Sequence, residues 1–183
     1  MKQNGSVSQM DIDHLAIIRK SVSDFLKYSS ARYAKTSGLL LDIAPQIHEG
    51  ARPYFLDHIK IETLDIDPKT RSTYTADLCD CRNKVPECTF DYIVCTEVLE
   101  HTRQPFKATE TLLRLLRPGG LCFVTTPYNF RIHGPLPDCW RFTEHGLREL
   151  FVAFEIIELS AIETLDRFLM PVHYRLVAKK PEL

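Results

Sequence analysis

The chain has 183 residues, of which 44% are hydrophobic and 26% are charged, and its formal net charge is −1. This composition is typical of a globular protein with one hydrophobic core, so we expect a single domain over residues 1–183. The small net charge argues against a general electrostatic attraction to nucleic acid. No apolar run approaches the roughly 18 residues of a membrane span, and the first residues lack the apolar region of a signal peptide, so we expect a cytoplasmic protein that contacts no membrane.

The six cysteines include no CxxC pair. Cys95 and Cys122 fall within apolar runs that predict buried strands, where free cysteine commonly packs as a small apolar residue. We therefore expect neither a disulfide framework nor a zinc site.

An amphipathic helix is predicted in the N-terminal segment, residues 1–36. Asp11 or Asp13 can cap this helix, and one face carries a stripe of Leu15, Ile18, Val22, Phe25 and Leu26. We expect the stripe to cover one face of a sheet and the helix to end before Gly38.

Three predicted strands end in aspartate. The first is the apolar run after Gly38, which has Asp42 near its end, and the others end at Asp65 and Asp77. The chain between the first two should begin as a loop at Pro45 and become helical near Gly50, with Tyr54 and Phe55 pointing inward.

Residues 89–120 predict one β-α-β unit. A strand over residues 92–95 is followed by a polar turn with Glu97, Glu100 and His101. Next comes a helix whose apolar positions are Phe106, Leu112, Leu113 and Leu116, and a glycine stop precedes a second strand at 121–124. A right-handed crossover makes the two strands parallel, so the acidic turn should lie at the sheet edge where α/β proteins bind ligands.

The segment 126–143 contains three prolines and one glycine and predicts a long irregular connection. Connections of this length in a compact domain are usually binding loops, so we expect it to cover the substrate. Thr143 should cap the following helix, and two last strands are predicted at 155–159 and 173–179.

Taken in order, these strands, aspartates and turns resemble the class I S-adenosylmethionine-dependent methyltransferases, especially the small bacterial type 11 group. The resemblance covers residues 39–179 and is densest from Asp65 to Phe151. It implies an α/β fold: a three-layer Rossmann-like sandwich with a seven-stranded, mostly parallel sheet whose last strand is antiparallel.

The resemblance also implies S-adenosylmethionine as cofactor. Asp65 is the candidate for the ribose hydroxyls, with Asp67 as the alternative, because a carboxylate at the end of the second strand can accept from both hydroxyls. Asp77 and Leu78 would meet the adenine, although Asp77 could instead simply form a turn. The full predicted cofactor set is Asp42, Ala44, Gln46, Asp65, Ile66, Asp77, Leu78, Thr96 and Glu97.

The sequence departs from that family in the loop after the first strand. The family has a GxGxG loop there, which lets backbone approach the cofactor, whereas residues 44–48 contain no glycine. Either the loop takes another path, with Gly50 giving the close approach, or cofactor binding is weakened or lost. We favour the altered path, because the other cofactor positions are retained.

The acidic turn allows three interpretations. Glu97, Glu100 and His101 would share one face of a helical turn, so they could hold Mg²⁺ or another divalent ion, with His133 or Asp138 as a further ligand. Their string resembles a metal-binding element of some methyltransferases that act on RNA ends and quinone precursors. They could instead support the turn or act beside the cofactor, and a metal is not the favoured interpretation.

Methyl transfer mainly requires that donor and acceptor be aligned, with a base only where the acceptor must lose a proton. His101 is the first candidate for the base, and His133 and Asp138 are the second. Substrate contacts are predicted for Arg131, His133, Trp140 and Arg141. Arg141 could instead pair with Asp138, and Trp140 and Tyr128 could fill the core of the loop.

We therefore predict a methyltransferase for a small polar acceptor, such as a hydroxyl of a sugar or other metabolite. The alternative is a noncatalytic binding module whose glycine-free loop no longer accepts cofactor. An NAD-dependent oxidoreductase is disfavoured because GxGxxG is missing. The sequence gives no prediction of oligomeric state.

Overall fold

The structure, a computed structural model, describes residues 7–46 and 48–182. Its α-helices are α1 (Gln9–Tyr33), α2 (Pro105–Leu115) and α3 (Glu144–Leu150). Its strands are β1 (Gly38–Ile43), β2 (Ile59–Asp65), β3 (Tyr74–Thr75), β4 (Phe90–Thr96), β5 (Leu116–Pro127), β6 (Glu155–Ile162) and β7 (His173–Lys179). Short 3₁₀ helices lie at Pro68–Thr70 and Leu99–His101.

The strands form one seven-stranded sheet in the order β3-β2-β1-β4-β5-β7-β6. The pairs from β3 to β5 are parallel, whereas β7 runs antiparallel to both β5 and β6. This arrangement confirms the predicted fold. The chain order reverses between β1 and β4, so the carboxyl ends of these strands meet at the edge where such sheets bind ligands.

Helices cover both faces of the sheet. On one face α1 packs Phe25 and Leu26 against the strands, and the Phe123 ring lies 6.5 Å from Phe25, 6.2 Å from Phe55 and 6.2 Å from Tyr92. On the other face, α2 and α3 pack against the second core cluster. In the described part of the chain, no helix is long and apolar enough to cross a membrane.

Two helix predictions are wrong. Ser8 caps α1 and accepts from the Asp11 amide at 3.1 Å, so neither Asp11 nor Asp13 is the cap. The described residues 48–58 form turns instead of a helix, although Phe55 is buried as expected. Gly50 at φ 59° and Pro53, which lacks an amide hydrogen, both oppose a regular helix here.

The β-α-β unit differs from its prediction at the junction of α2 and β5. Phe90 pairs with Leu116 and Tyr92 with Leu121, so residues 117–120 bulge within a strand that begins earlier than predicted. Phe106 is 60% exposed and does not face the core as expected. All six cysteines lie in the described residues and are free thiols.

Candidate functional site

A groove of about 480 Å³ opens at the carboxyl edge of β1, β2 and β4. Nine residues that the sequence nominated line it: Ala44, Gln46, Asp65, Ile66, Asp67, Asp77, Leu78, Glu97 and His101. Pro135 and Pro137 of the segment 128–143 also line the groove, next to Val98 and Arg103. The fold therefore brings most of the predicted cofactor set together in one concave site.

The Asp65 end of the groove, formed by Asp65, Ile66, Asp77 and Leu78, combines carboxylates with apolar walls. Asp65 is only 4% exposed, and its oxygens accept from the amides of Gln46 at 3.2 Å and Asp67 at 2.9 Å. Each carboxylate oxygen has two lone pairs, so Asp65 can still accept from two neighbouring hydroxyls.

Apolar side chains at this end are suited to a flat ring. Ile66 lines the groove although it is 65% exposed, whereas Leu78 on the opposite strand connection is buried. Asp77 accepts from the Cys79 amide at 2.8 Å through one oxygen, in the turn geometry that the sequence allowed. Its other oxygen makes no hydrogen bond within the described residues.

Two residues of the glycine-free loop have positive φ angles, a backbone conformation that favours glycine. Ala44 has φ 53° and Gln46 has φ 55°, and both residues line the groove. This left-handed conformation is unfavourable for residues with a Cβ atom, so the loop carries strain that glycine would avoid. Of the neighbouring residues, Ile47 lies outside the described part of the chain, and His48 is exposed and does not line the groove.

Gly50 and Asp42 pack against each other in the support of the loop, and neither residue lines the groove. Asp42 is 3% exposed and accepts from the Ala51 amide at 2.7 Å. A Cβ atom on Gly50 would lie 2.1 Å from an Asp42 oxygen, so the expected close approach is to this carboxylate and not to a ligand. Burial raises the pKa of Asp42 to about 6. Thr96, the last residue of β4, likewise does not line the groove.

Glu97 faces the groove on the strand end opposite Asp65 and has φ 55°. Its Oε1 atom accepts from the Thr125 hydroxyl at 2.9 Å and contacts Nε2 of His173 at 2.6 Å. His173 is fully buried. The sequence showed only a histidine at the start of a strand, with no motif that could connect it to Glu97.

Behind His101 lies a group of charged residues that we call the Glu100 cluster: Glu100, His101, His133, Asp138 and Arg141. Glu100 is fully buried, and neither of its carboxylate oxygens has a hydrogen-bond partner within the described residues. Nε2 of His101 and Nε2 of His133 each lie 3.8 Å from its Oε1. Burial, together with the charge of Glu97, raises the pKa of Glu100 well above its usual range.

Both histidines of the Glu100 cluster are oriented by their second ring nitrogen. Nδ1 of His101 lies 3.0 Å from the Pro137 carbonyl, and Nδ1 of His133 lies 3.0 Å from Asp138. Both partners are acceptors, so each Nδ1 carries a proton, and Nε2 is the ring nitrogen that lies near Glu100 in both histidines. Hydrogen bonds from Arg141 hold the pKa of Asp138 well below its ordinary value, and burial lowers the pKa of His101.

The donor atoms of Glu100, His101 and His133 lie within 4.8 Å of one another. One carboxylate and two imidazoles, each with an outer hydrogen bond, are a ligand set that suits a divalent transition metal. The predicted alternative set contained Glu97, whose carboxylate instead contacts Thr125 and His173. The residues present therefore fit an ion, with His133 in place of Glu97.

The predicted substrate contacts in the segment 128–143 hold that segment in place and do not line the groove. Arg141 pairs with Asp138 at 2.7 Å and donates to the Phe130 and Arg131 carbonyls. Trp140 donates to the Thr102 carbonyl at 2.8 Å and stacks on Phe142. Arg131 is exposed and lies 3.8 Å from Asp11. The substrate-covering role of the segment stays a prediction.

Comparison with known proteins places this geometry in a family. The family described as "Methyltransferase domain" matches residues 15–160, well over half of the chain. No curated protein sequence gives a significant match.

Solved structures share the fold at low sequence identity. The cyclase SpnF has a TM-score of 0.70 at 16% identity, over 89% of this chain and 82% of that one. The N-methyltransferase NodS from Bradyrhizobium japonicum, in complex with S-adenosyl-L-homocysteine, has a TM-score of 0.65 at 16% identity, over 90% of this chain and 87% of that one.

A further neighbour is 1,6-didemethyltoxoflavin-N1-methyltransferase from Burkholderia thailandensis, with 1,6-didemethyltoxoflavin and S-adenosylhomocysteine bound. Its TM-score is 0.64 at 14% identity, over 98% of this chain and 93% of that one. At these identities the structures establish the fold alone, and SpnF demonstrates that a cyclase also uses it.

Proposed function

Because the chain belongs to the methyltransferase domain family of class I S-adenosylmethionine-dependent methyltransferases, we propose that it methylates a small polar acceptor, such as a hydroxyl of a sugar or other metabolite. The groove at the carboxyl edge of the sheet carries this proposal. Asp65 and Asp77 supply acceptors for ribose and adenine, and Ile66 and Leu78 supply apolar surface for the ring. Glu97 and His101 at the other side then lie beside the reacting methyl group.

When bound, S-adenosylmethionine would supply a methyl group on a positively charged sulfur, and its transfer to an acceptor oxygen would leave the carbon-sulfur electron pair on S-adenosylhomocysteine, a neutral thioether. The donor is already activated, so the chain mainly aligns the two reactants. The segment 128–143 supports this alignment because its Pro135 and Pro137 line the groove.

The acceptor hydroxyl also loses a proton. His101 lines the groove, and burial lowers its pKa, so its imidazole is neutral and can accept this proton. His133 and Asp138 do not line the groove and act on the site through the Glu100 cluster.

Calorimetric titration with S-adenosylmethionine and S-adenosylhomocysteine tests the proposal. We expect micromolar binding to the wild-type chain and about a 10- to 100-fold loss in Asp65→Asn, since a charged acceptor of two hydroxyls is removed. Asp57→Asn, an exposed aspartate outside the groove, is the matched control, and Asp67→Asn tests the alternative ribose acceptor, which also lines the groove. Absence of binding to the wild type would favour the noncatalytic module.

A divalent metal is a second element of the proposal, and the unpartnered buried carboxylate of Glu100 beside two imidazoles favours it. Glu100, His101 and His133 would hold the ion. When bound, it would polarise an acceptor oxygen and favour loss of its proton, a task that otherwise falls to His101.

Titration of the cofactor-free protein with Mn²⁺, Co²⁺ and Zn²⁺ tests the metal separately from activity. We expect one equivalent to bind, and Glu100→Gln to abolish this binding while the fold is retained. Glu110→Gln, an exposed carboxylate on α2, should bind metal as the wild type does. Equal metal binding by Glu100→Gln and the wild type would remove the metal from the proposal and leave His101 as the base.

A further inference from the structure

A buried chain of hydrogen bonds connects α1 and β7 to Glu97. Nε of Arg175 donates to the Ser21 hydroxyl at 2.7 Å, and this hydroxyl contacts Nδ1 of His173 at 2.7 Å. Nε2 of His173 then contacts Oε1 of Glu97 at 2.6 Å. Ser21 is 2% exposed and His173 is fully buried, so this chain crosses the interior of the molecule from α1 to the groove.

The chemistry of the groups fixes the direction of two of these bonds. A carboxylate oxygen only accepts, so Nε2 of His173 donates to Glu97, whereas either Ser21 or Nδ1 of His173 can be the donor in the bond between them. Arg175 only donates, so Ser21 accepts from it. Every donor therefore has an acceptor, and the sequence of bonds ends on one oxygen of Glu97.

Because these hydrogen bonds end on Oε1 of Glu97, its second carboxylate oxygen, Oε2, is available to a ligand. The Thr125 hydroxyl also donates to Oε1, whereas Oε2 makes no hydrogen bond within the described residues. The Glu97 side chain is 25% exposed and lines the groove, on the strand end beyond Ala44 as seen from Asp65. A ligand whose adenosine lies at the Asp65 end extends its amino-acid tail toward this carboxylate.

We propose that Glu97 binds the ammonium group of the cofactor through Oε2, and that Ser21, His173 and Arg175 are positioning residues that hold Glu97 in place. The proposal rests on the proposed function, because it assumes that S-adenosylmethionine occupies the groove. A carboxylate fixed by two donors on one oxygen loses little side-chain freedom when a cation binds the other, so the contact strengthens binding.

Two nucleosides separate this contact from the rest of the groove. S-adenosylhomocysteine carries the ammonium, and 5′-methylthioadenosine has the same adenosine without the amino-acid tail. In calorimetric titrations, Glu97→Gln should bind S-adenosylhomocysteine about 10- to 100-fold more weakly and 5′-methylthioadenosine within about twofold of the wild type. Asp65→Asn, by contrast, should weaken both.

Ser21→Ala tests the positioning role by removing one oxygen from the buried chain. It should weaken S-adenosylhomocysteine by about 3- to 10-fold and leave 5′-methylthioadenosine unchanged. Ser29→Ala is the matched control, since Ser29 is a buried serine on the same helix whose hydroxyl has no partner within the described residues. It should change neither affinity. In Glu97→Gln, adding Ser21→Ala should cause no further loss, because Ser21 acts through Glu97.

The outcomes distinguish this inference from the proposed function. If the wild type binds neither nucleoside, the proposed function fails and this inference fails with it. If both nucleosides bind and Glu97→Gln weakens them equally or not at all, only the ammonium contact is overturned. If Glu97→Gln discriminates and Ser21→Ala does not, the contact stands and the positioning role is overturned.

Discussion

In the loop after β1, the carboxylates of Asp42 and Asp65 accept hydrogen bonds from backbone amides, whereas in the Glu100 cluster charged side chains pair with one another. Asp42 and Asp65 accept from the amides of Ala51 and Gln46 and so shape the loop after β1. Asp138, by contrast, is held by Arg141 and contacts the His133 ring. The first arrangement depends on backbone conformation. The second depends on the identity of each charged residue.

The comparison predicts that a Cβ atom on Gly50 is the most damaging single change in the loop after β1. Gly50→Ala places Cβ 2.1 Å from Asp42 and 2.7 Å from the Pro45 ring, at φ 59°. We expect a loss of about 3 to 4 kcal/mol of unfolding free energy in urea titrations. Gly146→Ala, inside α3 with its nearest contact at 3.6 Å, is the control and should be neutral or stabilising.

In the Glu100 cluster the corresponding change is loss of a charge. Asp138→Ala leaves Arg141 without its carboxylate and His133 without its acceptor, so we expect a loss of about 3 kcal/mol. Urea unfolding should be compared with Glu144→Gln, which breaks the exposed pair with Arg148 and should cost less than about 0.5 kcal/mol. Similar small losses in both variants would contradict the idea that charge pairing holds this segment.

The buried carboxylate under the loop predicts a pH dependence. The pKa of Asp42 is raised to about 6, above the value near 3.9 of an unfolded chain. Between these values the folded state binds more protons, so this group's contribution to stability is present below about pH 4 and is lost as the pH rises to about 6.

Asp42→Asn removes this titration while its side-chain oxygen can still accept from the Ala51 amide. Relative to the variant, the wild type should therefore lose about 2 kcal/mol of unfolding free energy between pH 4 and pH 7. Parallel stability curves for the two proteins over this range would show that Asp42 is not desolvated as the structure indicates.

The smallest expected effect tests the strain in the loop itself. Ala44→Gly removes a Cβ atom at φ 53°, and we expect a gain of about 0.5 kcal/mol despite the greater freedom of the unfolded chain. Ala153→Gly, at an exposed position without positive φ, should instead destabilise the protein. A loss in both variants would show that Ala44 is not strained.

The sequence predicted the sheet and its aspartates because these depend on local patterns. Short apolar runs ending in Asp42 and Asp65 report burial and strand ends directly. The chain was predicted to become helical near Gly50, with Tyr54 and Phe55 pointing inward, but a left-handed Gly50 and Pro53 oppose a helix there. Phe106 has helical spacing and yet faces solvent, because spacing does not say where the neighbouring elements lie.

The site was predicted less completely, since its contacts join distant parts of the chain. Asp65, Asp77 and Leu78 follow strands whose order the family resemblance supplied, and the groove contains them. The bond between His173 and Glu97 depends on β7 lying beside β5, which places both residues at the same sheet edge. No spacing within one segment could indicate that pairing, and the roles of the individual site residues stay predictions.

Helix α1 is connected to the groove through two hydrogen-bonded side chains. Ser21 contributes to the support of Glu97, and Nδ1 of His14 lies 2.8 Å from the Asn129 carbonyl at the start of the segment 128–143. Mutant libraries aimed at a new acceptor should therefore randomise the inner face of this first helix together with the groove walls. A directed-evolution campaign restricted to pocket residues would leave these α1 contacts unchanged.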